Sequence, residues 1–199
     1  MSRLSILFLS AAAVLVFAAT ALAEPYWIAW EGDDFPENQG WQRNYGNWDG
    51  PNQGGAYRTL EDGLLTIDSL YDDGVYDYYE LRDNYPISLE PDELFVAEWR
   101  LKVDALQGLP VYDSAVGIHS DDYWIVALGF YPDHIESVFE DINIAIRADI
   151  WHNYRLETSD MRQYTLVVDG EPAHQGVLWN GVTSSRIGWG DVVQGSKYR

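Results

Sequence analysis

Cysteine is absent from this chain of 199 residues. No disulfide, thiolate metal site or cysteine nucleophile can form, so the fold has to rest on core packing. Cations are scarce as well. Twelve Lys and Arg stand against 32 Asp and Glu, for a formal net charge of −20. A surface so negative repels phosphate backbones and anionic lipid, which argues against nucleic acid as a partner. Long apolar runs are missing after the N-terminus, so no membrane span is expected in the body of the chain. What the chain has in quantity is aromatic area, with 9 Trp, 14 Tyr and 6 Phe. Such rings supply large burial at low side-chain entropy cost.

The one long apolar run is Leu4–Phe17, preceded by Arg3 and followed by Ala21-Leu22-Ala23. A charged start, an apolar stretch and a small-x-small ending are the marks of a cleaved signal peptide. A spanning helix needs about 20 apolar residues, more than this run offers. The expectation is a signal peptide over 1–23 and one exported domain over 24–199. Its destination would be the extracellular space, the cell surface or the periplasm. Loss of Arg3 makes that domain one charge more negative than the whole chain.

The periodicity along the chain is two. In Phe95-Val96-Ala97-Glu98-Trp99-Arg100-Leu101-Lys102-Val103 the odd positions are all apolar, whereas Glu98, Arg100 and Lys102 point the other way. That pattern predicts a half-buried strand. Further strands are expected over Leu64–Ser69, Tyr76–Arg82, Ser114–His119, Trp124–Phe130, Ile135–Phe139, Ile142–Ile146, Trp151–Thr158 and Gln163–Val168. Asp62-Gly63, Asp72-Asp73-Gly74, Ser120-Asp121-Asp122, Pro132-Asp133 and Asp169-Gly170 supply the turns. Asp-Gly between alternating segments is a strong hairpin signal, because the tight turn needs positive φ. Pro172 predicts a short or edge strand over Ala173–Val177, since proline cannot donate to a ladder. Trp41 to Ala56, rich in Gly, Asn and Gln, reads as a long loop. Many short strands and no convincing helix predict an antiparallel sandwich or barrel, and the polar faces favour two stacked sheets.

The motifs occur in a familiar order. Asp33-Asp34-Phe35 and Gly40-Trp41 are followed by Glu61 to Ile67 and the strand Phe95 to Val103. Trp151-His152-Asn153-Tyr154-Arg155-Leu156, Tyr164 to Gly170 and Ile187-Gly188-Trp189-Gly190-Asp191 come next. This resembles the concanavalin A-like, laminin-G-like jelly-roll superfamily over nearly all of the expected domain, most specifically from Trp151 to Gly170. The resemblance implies an all-β fold, a two-sheet antiparallel jelly-roll sandwich. It implies binding to carbohydrate or protein, carbohydrate cleavage, or a structural role, so it narrows function little. Such domains usually close with a strand after the Gly-Asp segment. Here the chain stops at Lys197-Tyr198-Arg199, which leaves open that this closing strand is lacking.

Glycosidases of that superfamily carry paired acids alternating along one strand, at a spacing suited to acid and nucleophile. No such run occurs. Glu136-Ser137-Val138-Phe139-Glu140-Asp141 comes nearest and lacks the middle Asp. Motifs for a serine elbow, a zinc protease, a phosphate loop, a dinucleotide or an EF-hand are absent. His119, His134, His152 and His174 lack metal-ligand spacing. The expectation is therefore no enzyme and no cofactor.

One constellation remains. Tyr76, Tyr78, Glu80 and Arg82 share a strand face opposite Tyr79 and Leu81, while Glu98 and Arg100 face outward on the next candidate strand. Rings beside carboxylates and guanidiniums suit a sugar, which stacks its apolar face and hydrogen-bonds through its hydroxyls. The same set also reads as a solvated face with a cross-strand Glu80–Arg100 pair. Trp99, Trp151 and Trp189 are expected in the core, and Trp41 and Trp48 are candidate loop platforms for stacking. The leading expectation is a non-catalytic binding module, most plausibly for carbohydrate. Beside it stand a structural or protein-interaction domain, and a glycosidase-like enzyme with an unrecognised site.

Overall fold

The computed structural model describes residues 29–47, 54–68, 75–82, 93–106, 115–119, 124–137, 139–160, 162–181, 186–191 and 196–198. The expected signal segment, the Asp72-Asp73-Gly74 and Ser120-Asp121-Asp122 turns and Trp48 lie outside them. No helix among the described residues is long and apolar enough to cross a membrane.

Among the described residues, one 3-10 turn at Pro36–Gln39 is followed by strands only. These are β1 (Gln42–Asn47), β2 (Tyr57–Glu61), β3 (Leu64–Asp68), β4 (Val75–Arg82), β5 (Phe95–Leu101), β6 (Val103–Leu106), β7 (Ala115–His119) and β8 (Trp124–Phe130). The second half holds β9 (His134–Ser137), β10 (Asn143–Ala145), β11 (His152–Thr158), β12 (Gln163–Val168), β13 (Glu171–Val177), β14 (Trp179–Asn180), β15 (Arg186–Asp191) and β16 (Ser196–Tyr198). One sheet runs β1-β4-β15-β7-β8-β9-β10, with β14 on β8. Two four-stranded sheets run β13-β12-β11-β5 and β2-β3-β16-β6. Only Lys102 separates β5 from β6, so one chain segment passes from one small sheet to the other.

A single apolar core joins all three sheets. It takes Ile67 from β3, Val103 from β6, Tyr79 from β4, Leu128 and Phe130 from β8, and Tyr154, Leu156 and Leu166 from β11 and β12. Each such fully buried side chain contributes about 1.5–3 kcal/mol. Alternation selects these residues. Along β5, Phe95, Ala97, Trp99 and Leu101 turn in, while Val96, Glu98 and Arg100 stay exposed. Trp99 stacks on Tyr154 (ring centroids 5.7 Å) and meets Phe130 edge-on. A second aromatic group centres on Trp189, which packs against Tyr79, Trp30 and Trp41.

Asp62-Gly63 and Asp169-Gly170 have positive φ at both residues, as a two-residue hairpin turn requires. Pro172 lies on β13, an edge strand, where the register against β12 shifts between Leu166 and Val167. Three departures from the sequence reading stand out. Gln42–Asn47, expected as loop, is a strand paired with β4. Trp41, a candidate loop platform, is only 7% exposed and packs in the core. Trp151, expected in the core, instead carries the Arg100 guanidinium over its ring at 4.9 Å. At the C-terminal end, Ser196–Tyr198 pairs with both β3 and β6.

Candidate functional site

The strand β4 sits between β1 and β15 in the eight-stranded sheet. Val75, Asp77, Tyr79 and Leu81 turn inward and are buried. Tyr76, Tyr78 and Glu80 therefore share the outer face; the side chain of Arg82, expected beside them, lies outside the described residues. The Tyr76 and Tyr78 rings lie 6.1 Å apart, tilted by 37°. Their neighbour Asn44 on β1 donates from Nδ2 to Glu80 Oε1 at 2.6 Å. On the other side Arg186 of β15 approaches Glu80 Oε2 at 3.7 Å. Glu80 is buried, with 1% exposure. The alternative reading of a solvated carboxylate does not fit Glu80, which the Asn44 amide holds with the Arg186 guanidinium nearby.

Glu98 and Arg100 do not join this face. They lie on β5, whose neighbour is β11 in a four-stranded sheet. Glu98 stands opposite Arg155, which donates to it from Nη1 at 2.6 Å. The Glu80–Arg100 pair of the solvated-face alternative does not form, and the two residues belong to separate networks on two sheets. Sequence alternation assigns a residue to a face, but the partner of each strand is decided by long-range pairing that local pattern does not encode.

Beyond Glu80 the outer face becomes low. The register carries Glu80 to Gly188, then Gly117, then Ala127 on successive strands. Four residues without large side chains or none at all follow one another across β15, β7 and β8, once Gly129 is added beside Ala127. The next carboxylate on this face is Glu136 of β9, opposite Gly129. It accepts from His134, whose Nδ1 also meets Asp133 at 2.7 Å. Four strand spacings separate β4 from β9, about 19 Å. No group of three or more metal-ligating side chains occurs among the described residues.

A second polar group, which the sequence reading did not single out, lies on the inner side of β1 and β4. Arg43 forks onto Asp77, with Nε to Oδ1 at 2.9 Å and Nη2 to Oδ2. Asp77 is fully buried, and directly across from it on β15 stands the equally buried Asp191. Arg58 of β2 forks onto Glu37 and also donates to the Tyr79 hydroxyl. Burial pushes the Tyr79 hydroxyl up, against the pull of the Arg58 charge. Burial also pushes the Glu37 carboxyl up, but hydrogen bonds and the charge of Arg58 outweigh it, and the group ends below its usual range. Both guanidiniums open on one cleft of about 670 Å³, lined by Phe35, Arg43, Gly55, Ala56, Tyr57 and Arg58. A signal did exist in the sequence: Arg43 and Arg58 flank a Gly-Gly-Ala segment in a chain poor in cations.

Neither a family model nor a curated protein matches this chain. Solved structures do. A sialidase shares 14% identity at a TM-score of 0.52, over 72% of this chain and 15% of its own. A Bacillus licheniformis β-glucanase shares 12% identity at a TM-score of 0.50, over 84% of this chain and 91% of its own. The fold is the concanavalin A-like jelly roll. At such low identity the likeness speaks for that fold alone. The binding domain of Paraclostridial Mosquitocidal Protein 1 is also similar, at 12% identity and a TM-score of 0.47, over 78% of this chain and 42% of its own. Among the described residues, the outer face of the large sheet and the inner cleft each hold polar groups in fixed geometry.

Proposed function

We propose that the chain is an exported, non-catalytic binding module whose ligand is carbohydrate, taken on the outer face of the eight-stranded sheet. The observation that carries this is the wall of Tyr76 and Tyr78 beside the fixed Asn44–Glu80 pair, next to the low floor of Gly188, Gly117 and Ala127. A sugar stacks its C–H face on rings and takes hydrogen bonds from a few placed polar groups. The neighbours named as a glucanase and a sialidase make carbohydrate the first ligand class to test. Glycosidase acids stand about 5–9.5 Å apart, whereas Glu80 and Glu136 are about 19 Å apart across the sheet. That separation supports a site that binds without cleaving.

Replacing both rings, Tyr76→Ala with Tyr78→Ala, should weaken a ligand found on a glycan panel at least tenfold, about 1.4 kcal/mol, with the far-ultraviolet circular dichroism unchanged. Unchanged affinity would remove the outer face as the site. Turnover of any polysaccharide, abolished by Glu80→Gln, would overturn the non-catalytic reading. A second reading, a protein-interaction domain, is favoured by an exposed apolar spot. Phe139 and Trp179 stack in parallel at 4.9 Å, and both are exposed, as is Val177. Retention of a protein partner by the double tyrosine variant, with no glycan bound by the parent chain, would favour it.

A further inference from the structure

We propose that the cleft between Phe35, β1 and β2 is a second binding site, and that it takes a short sugar bearing a carboxylate, such as a single uronate residue. This inference is independent of the outer face, because Arg43 projects from the opposite side of β1.

The cleft holds about 670 Å³, within the range of sites for small molecules. Two of the twelve cationic side chains in a chain of net charge −20 open on it. Both are pre-organised. The Arg43 fork on Asp77 uses Nε and Nη2, so Nη1 is the arm that remains to meet a ligand. The Arg58 fork on Glu37 uses Nη1 and Nη2, so Nε remains. Each guanidinium also lies over a ring, Arg43 over Tyr45 at 4.3 Å and Arg58 over Phe35 at 4.8 Å. Guanidiniums locked in this way lose little further freedom on meeting a planar carboxylate.

The acids that hold them are arranged unequally. Asp77 is hidden behind Arg43, with a side-chain exposure of 0%. Glu37 keeps 30% of its side chain exposed and competes for Arg58. Gly55 passes so close above the Arg43–Asp77 pair that a Cβ there would collide with both partners and with Tyr45. Only glycine fits at this point of the cleft wall. On the cleft lining Tyr57 is 63% exposed, and Tyr45, beside Gly55, is 44% exposed. Rings and the two remaining guanidinium donors, Arg43 Nη1 and Arg58 Nε, together select a carboxylate carried on a body with an apolar face. The chain's negative field repels polyanions at long range, which restricts the ligand to one or a few residues.

The test is titration of the full chain with galacturonic acid, its methyl ester and galactose, followed by nuclear magnetic resonance. Saturable binding of galacturonate is expected, with the ester and galactose at least tenfold weaker. Arg58→Gln and Tyr57→Ala should each weaken it at least tenfold, and Tyr57→Ala removes only an exposed ring, so it tests the site without threatening the fold. Glu37→Gln should tighten binding by freeing Arg58, an effect that a purely structural ion pair does not produce. The double Tyr76/Tyr78 variant should bind as the parent does, which separates this site from the outer face. Equal binding of acid and ester, no saturation at millimolar galacturonate, or unchanged binding by Arg58→Gln and Tyr57→Ala would overturn the proposal. Acetate or sulfate competing as well as galacturonate would overturn the assignment to a sugar.

Discussion

Two arginines in this jelly roll make nearly the same contacts in opposite surroundings. Arg43 forks onto Asp77 inside the sandwich, with side-chain exposures of 18% and 0%. Arg155 bridges Glu98 and Glu157 on the outer face of a small sheet, with exposures of 37%, 60% and 33%. Contact geometry alone would rank them equal. Burial separates them, because charge attraction grows as the local dielectric falls while water can replace the partner of an exposed charge. The inner pair is therefore expected to matter to the fold and the outer network to matter little.

The largest effect should come from Arg43→Ala. It strips a buried carboxylate of its countercharge, with buried Asp191 directly opposite. Breaking a buried pair from one side costs about 3–5 kcal/mol. Chemical denaturation of the variant and parent measures it. A loss below 1 kcal/mol would show that Asp77 finds other compensation and would break the comparison.

Between the two extremes lies the turn carboxylate Asp169. It accepts from the Asn153 backbone N–H at 2.9 Å and meets His152 Nδ1 at 2.6 Å, closing the β11–β12 hairpin. The Asn153 hydrogen bond first, and His152 second, hold its carboxyl below the ordinary aspartate value of 3.8. A carboxyl lowered in the folded state stabilises above its unfolded value, and that stability is lost as pH falls through the folded one. The chain should therefore lose stability as pH drops below about 3.8. Asp169→Asn should flatten that part of the acid limb by a small but measurable amount. An acid limb identical in parent and variant would remove Asp169 from the account.

How much of this was legible beforehand depended on pattern. The strict alternation in Phe95–Leu101 and the two Asp-Gly turns carried their strands and hairpins onto the page correctly. Gln42–Asn47 was missed because its inward residue Arg43 is polar and satisfied by an ion pair, so no apolar alternation marks it. The segment Arg186–Asp191 was seen as a motif without being assigned as a strand, since Gly188 and Gly190 dilute its pattern. The candidate face was half legible. Tyr76, Tyr78 and Glu80 do share a side, but nothing local told that β4 and β5 belong to different sheets, so Glu98 and Arg100 were joined to a face they never reach. The inner cleft depends on residues from the 3-10 turn, β1 and β2 meeting across the sandwich, which spacing in the chain cannot express.

The smallest effect should come from Arg155→Ala, and it tests the other side of the comparison. Arg155 is held by Glu157 and Glu98, and the hydrogen bond to Glu157, then that to Glu98, raises its guanidinium above the usual range. Such a shift records contact, not stability, because both carboxylates hydrate readily once the guanidinium is gone. The denaturation midpoint of the variant should coincide with that of the parent within measurement error. Added salt should shift both midpoints alike by screening the net negative charge, and should leave the difference between them unchanged. If Arg155→Ala instead lost as much as Arg43→Ala, burial would not be what separates the two networks. The exposed Glu98–Arg155–Glu157 row would then have to act as one cooperative unit across β5 and β11. Reversing the charges with Arg155→Glu and Glu98→Arg together would decide that point: recovery of the midpoint would point to a true coupled network, and a midpoint no different from the single Arg155→Ala change would leave the outer face as a solvated one.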